Sequence, residues 1–136
     1  MTATAIAAKP GRGVLYWIGW VLSGLFIAFM IFDVVIKLMS LPIVRQTQAQ
    51  MGLPVALDPI LGPLELACLA LYVFPRTAVL GAVLTTGYLG GAILAHLRIG
   101  SPLFSHVLFG VYLGLMAWGG LYLRDPKLRK LFPWRR

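Results

Sequence analysis

The stretch PRTAVLGAVLTTGYLGGAILAHLRIGSPLF, Pro75 to Phe104, decides the fold class. A turn signal, Phe74-Pro75-Arg76-Thr77, opens it, and no further charge follows until His96 and Arg98. A helix of about twenty residues spans roughly 30 Å, the thickness of a hydrocarbon core. Small residues punctuate it at Ala78, Gly81, Ala82, Gly87, Gly90, Gly91, Ala92 and Ala95. In water that much glycine weakens a helix. In lipid, small residues let neighbouring helices approach closely. The stretch reads as the packed central helix of a membrane bundle. Gly87-x-x-x-Gly91 reads as a small-xxx-small contact, either within the chain or in a homo-oligomer.

Composition agrees. The 136 residues are 60% hydrophobic and 12% charged, and a soluble domain carries about twice that share of charge. The acids are Asp33, Asp58, Glu65 and Asp125. So few charges cannot dress a soluble surface, so lipid is the expected solvent. The net charge of +8 does not point to nucleic acid, because the basic residues cluster at the ends of apolar segments. They fit topology signals and contacts to anionic headgroups instead. Cys68, alone in an apolar run, leaves no internal disulfide and no CxxC redox pair. No phosphate loop, nucleophile elbow, zinc motif or dinucleotide fingerprint is present, and no metal site is expected.

Taken in order, residues 1–13 form a short lead with Lys9, Pro10 and Arg12. The first span, about 14–37, is too long for a signal-peptide core and is read as an uncleaved helix. Tyr16, Trp17 and Trp20 mark its inner interface. The connection over residues 40–58 holds Ile43, Val44, Thr47 and Met51 at near-helical spacing, which predicts a short interfacial helix ended by Gly52 and Pro54. The second span, about 57–74, contains Gly62, Pro63 and Glu65. Thr77 is the expected cap of the third, 77–97, and Ser101-Pro102 the expected start of the fourth, 103–123. Residues 124–136 form a basic tail. The fold class is therefore an all-α, four-helix transmembrane bundle.

Charge sets the expected orientation. Lys9, Arg12, Arg76, Arg124, Lys127, Arg129, Lys130, Arg135 and Arg136 fall on one side, and Lys37, Arg45 and Arg98 on the other. The excess places both termini in the cytoplasm.

Polar groups converge on the outer half. Asp33 and Lys37 share one face of the first helix. Glu65 lies among apolar neighbours in the second, His96 and Arg98 close the third, and His106 opens the fourth. Ionisable groups inside a membrane are costly and face a bundle interior or a wet cavity. Two readings follow. Asp33, Lys37, Glu65, His96 and Arg98 line a polar pocket open to the outer face. Alternatively they form a packing network, Asp33 with Lys37 and Glu65 with Arg98 or His96, with Lys37 able to snorkel. Thr85, Tyr88 and His106 are secondary candidates, and the first two read more readily as interhelical hydrogen-bond partners.

The residues also support a resemblance. MGLP at Met51–Pro54, Gly62 and Glu65 in an apolar helix, the Pro75–Pro102 run, Trp118-Gly119-Gly120-Leu121 and LRDPKLR resemble the DoxX-like family of small bacterial membrane proteins. The resemblance implies a four-helix protein of the bacterial inner membrane. It also implies an accessory role in quinone-linked redox chemistry, with a quinone as cofactor and a redox partner protein. The chain carries no redox centre of its own, so it is not expected to be an enzyme alone. The alternatives are a small-solute carrier or binding protein using Glu65, and a purely structural or assembly subunit.

A reporter fused at residue 136 that is active only in the cytoplasm is expected to be active. A reporter active only outside the cytoplasm reverses the topology if it reports there instead.

Overall fold

The computed structural model describes residues 12–133. Four of its helices are long and apolar enough to cross a membrane. Helix α1 runs Val14–Leu38 and the short α2 runs Pro42–Gln50. A single 3-10 turn, Val55–Leu57, leads into α3, Asp58–Val73. Helix α4 is Ala78–Arg98. A π-helical turn, Leu103–Val107, precedes α5, Phe109–Arg124. The last helix, α6, is Pro126–Leu131. It lies inside the stretch read as a tail, and the Asp125 carboxylate caps it by accepting from the Lys127 and Leu128 N–H groups at 2.9 and 3.4 Å.

The spans form a ring. Helix α1 packs on α3 and α5, and α4 packs on the same two. That leaves α1 and α4 diagonal to each other. The outside of the ring carries large exposed apolar side chains from every span, including Val21, Leu25, Phe32, Leu66, Leu84 and Leu115. In water such a surface would aggregate; in lipid it is the expected exterior. The inside holds Phe26, Met30, Leu69, Tyr72, Ala82, Leu113, Ala117 and Leu121, all buried.

Lipid tails are as apolar as leucine, so the helices are held together by close packing and interhelical hydrogen bonds. Glycine supplies the close packing. A Cβ added at Gly19 would stand 2.9 Å from the Gly120 carbonyl, which marks the crossing of α1 and α5. One added at Gly81 would collide with the Tyr72 backbone, where α4 crosses α3. The glycines that stand out in the sequence behave differently. Gly87, Gly90 and Gly91 have nothing within 4 Å, so Gly87-x-x-x-Gly91 is no contact within the described residues. Nor is α4 a central helix: it shares the ring with three others and is no more buried than α3 or α5.

Two expected caps are absent. Thr77 stands at the start of α4 but donates its hydroxyl to the Leu71 carbonyl at 2.7 Å, fastening the tight turn instead. Ser101 bonds the His96 ring at 3.1 Å, and Pro102 precedes a π-helical turn rather than opening an α-helix.

Gly81→Val is expected to destabilise the protein by about 1–3 kcal/mol through overpacking. Gly90→Ala should leave thermal unfolding in detergent unchanged or slightly raised, since its added methyl meets open space. Equal loss in the two variants would contradict the packing described.

Candidate functional site

The last turn of α1 carries Lys37, and one turn earlier stands Asp33. The ring brings α3 beside that turn, and with it Glu65, which is fully buried. Tyr88 arrives from α4, across the diagonal. The Lys37 ammonium has three hydrogens, and each has an acceptor. It donates to Asp33 Oδ2 at 2.6 Å, to Glu65 Oε2 at 2.6 Å and to the Tyr88 hydroxyl at 2.9 Å. Tyr88 in turn donates to Glu65 Oε2 at 2.9 Å. Three helices therefore meet at one ammonium group.

The expected pairing of Glu65 with Arg98 or His96 is not what forms. Lys37 takes both acids, because its stem turns inward and its side chain keeps only 17% of its exposure. It does not snorkel. Arg98 is exposed at the end of α4 and donates to the Met51 carbonyl, fastening α4 to the loop after α2. Thr85 is buried on α4, one turn before Tyr88, and its hydroxyl has no partner among the described residues.

The cluster forms part of the wall of a cavity of about 530 Å³. Phe29, Ile36, Leu64, Ile93, Phe109 and Leu113 give it apolar walls. Asp33, Lys37, Glu65, Tyr88, His96 and His106 all line it, whereas Arg98 and Thr85 do not. The two imidazoles meet edge to face with centroids 5.6 Å apart. Each is held by a serine: His96 Nδ1 lies 3.1 Å from Ser101 Oγ, and His106 Nδ1 lies 2.7 Å from Ser105 Oγ. Among the described residues no group of three or more His, Cys, Asp or Glu could hold a metal ion.

Helix α2 supplies a wall that sequence reasoning did not assign to the site. Val44 and Gln48 are buried and line the cavity, together with Thr47 and Met51. The near-helical spacing signalled the helix, but nothing signalled what its apolar face would cover. A second polar group also escaped the sequence reading. Ser23 and Tyr72, both fully buried, share a hydrogen bond of 2.9 Å near the opposite end of the bundle, and Tyr72 donates to the Ala117 carbonyl at 2.8 Å. A lone serine inside an apolar run was the signal available.

A protein-family model, that of the DoxX-like family, matches residues 21–120. This chain belongs to the DoxX-like family. The matched region starts inside α1 and ends inside α5, so this DoxX-like core contains the Lys37 cluster, both histidines and the whole cavity. No match was found among curated proteins or among solved structures. Family and helices together make the chain a multi-pass integral membrane protein.

Removing one member of a buried ion pair strands the other charge and costs about 3–5 kcal/mol. Lys37→Met is therefore expected to lower stability strongly, by leaving Asp33 and Glu65 facing each other. Adding Glu65→Gln to Lys37→Met should recover part of the loss. Thermal unfolding of the two single variants and the double checks this, and strict additivity would mean that the groups are not coupled.

Proposed function

We propose that this DoxX-like protein is an accessory subunit of quinone-linked redox chemistry in the bacterial inner membrane, with both termini cytoplasmic. The observation that carries the reading is the cavity, whose mostly apolar walls include a buried polar cluster. That is the usual form of a small-molecule site, and 530 Å³ lies within the usual size range. A quinone-type ring has the matching form, a flat polar head on an apolar body.

Hydrogen bonding within the cluster sets the polarity of that head. All three Lys37 hydrogens and the Tyr88 hydrogen are directed at Asp33, Glu65 and each other. Glu65 Oε1 is the exception: it is buried and has no partner among the described residues. An unpaired buried acceptor is costly, and a ligand hydroxyl satisfies it. The cluster therefore suits the dihydroxy, reduced form of the ring better than the dicarbonyl form. Glu65 Oε1 holds the hydroxyl, Tyr88 and Lys37 fix the carboxylate that holds it, and the apolar walls exclude water. A bound dihydroxy ring would supply two electrons to a redox partner protein and release two protons as it becomes the dicarbonyl form.

A second reading, a carrier for a small cationic solute, is favoured by the charges: two carboxylates face one ammonium. Proton-coupled uptake of a lipophilic cation into liposomes would support it.

Small molecules extracted from the detergent-purified protein are expected to be enriched in quinone relative to an unrelated membrane protein prepared identically. Gly91→Leu should reduce the enrichment about tenfold, since its Cβ meets open space and its side chain fills the cavity. Absence of enrichment in the parent, or full enrichment in the variant, removes this reading.

A further inference from the structure

The end of the bundle opposite Lys37 carries an arginine whose position is fixed and whose guanidinium fork is free. Arg124 ends α5. Its Nε donates to Ser23 Oγ at 3.2 Å. Ser23 is itself bonded to the Tyr72 hydroxyl, which donates to the Ala117 carbonyl. The guanidinium carbon lies 4.2 Å from the centroid of the Trp20 ring. The close crossing at Gly19 and Gly120 brings α5 near enough to α1 for these contacts to form.

The two terminal nitrogens of Arg124 have no hydrogen-bond partner among the described residues, and no carboxylate there lies within ion-pair distance of it. The nearest acid in sequence, Asp125, is turned to the α6 backbone. A second cation stands on the same aromatic face. Arg12, Tyr16 and Trp20 follow one another at intervals of four along the chain. The Arg12 guanidinium carbon is 4.9 Å from the Tyr16 centroid, and the Tyr16 and Trp20 rings meet edge to face at 6.5 Å. Two guanidinium groups thus flank two interfacial aromatics that meet edge to face.

A guanidinium fork matches a phosphate bidentately. Tyrosine and tryptophan place the pair at headgroup depth, and exposed Trp17 and Val21 continue the surface toward the acyl chains. We propose that Arg124 and Arg12 form a site for the phosphodiester of an anionic phospholipid. Arg124 binds the phosphate through its free fork, Arg12 adds charge, and Trp20 and Tyr16 pack against the glycerol backbone. An arginine serving packing alone needs its Nε and the ring, and leaves both terminal nitrogens unassigned beside a second cation.

Native mass spectrometry of the whole protein in detergent tests this, with phosphatidylglycerol, phosphatidylcholine and inorganic phosphate as probes. One phosphatidylglycerol is expected to remain bound under activation that removes phosphatidylcholine. Arg124→Gln should weaken retention about fivefold, the contribution of one surface cation. Lys130→Gln, which touches neither aromatic, should leave retention within a factor of about two. Equal retention of both lipids would overturn the site, as would full displacement by millimolar inorganic phosphate, which would assign it to a soluble anion. If Arg124→Gln lowers the unfolding temperature, Arg12→Gln decides, because Arg12 touches no buried network: unchanged retention in that variant overturns the proposal.

Discussion

The Lys37 ammonium is the junction on which the bundle depends. It joins α1 to α3 through Glu65 and to α4 through Tyr88, and α4 is the helix that α1 does not otherwise pack against. Inside a membrane such a junction differs in kind from a surface ion pair. Lipid offers no competing hydrogen bonds, so each donor must find its acceptor within the protein. One ammonium group with three acceptors on three helices meets that requirement with a single side chain. It leaves one carboxylate oxygen, Glu65 Oε1, buried and without a partner among the described residues.

The opposite end is built by other means. Glycine contacts bring α1 against α5 and α3 against α4, and Ser23, Tyr72 and Arg124 form hydrogen bonds in the space between. On the Lys37 side the polar junction leaves a volume between α2 and α4 unfilled. Two of the glycines lining it, Gly87 and Gly91, widen it by lacking side chains. Glycine therefore has two uses in this chain: some admit a neighbouring helix, and others keep a space open.

Most of the fold was legible in the sequence, because the bilayer imposes a simple rule. Uncharged runs near twenty residues mark spans, and Pro75, Gly100 and Pro102 mark the turns between them. The members of the site were legible too, since a charge in an apolar run has to be accounted for. What was not legible was partnership. Glu65 was assigned to Arg98 or His96 because those groups lie at the same depth. The choice of Lys37 depends on the ring order of the helices, and hydropathy does not encode ring order. The same limit hid the role of α2 and misplaced the glycine contacts. A GxxxG spacing marks a smooth face but not what lies against it. The π-helical turn at Leu103–Val107 left no signal at all, because LFSHV is compatible with an ordinary helix start.

The Asp33–Lys37 pair has both its members on α1, four residues apart. Helix α1 leaves the ribosome before the other three spans described, and it carries its own counter-charge into the bilayer. Glu65 has no such partner on α3. Its charge is compensated only when α3 meets an α1 already in place. The order of the chain is thus also the order in which charges become tolerable: the helix that holds the cation enters first, and the helix with the lone acid enters second, beside it.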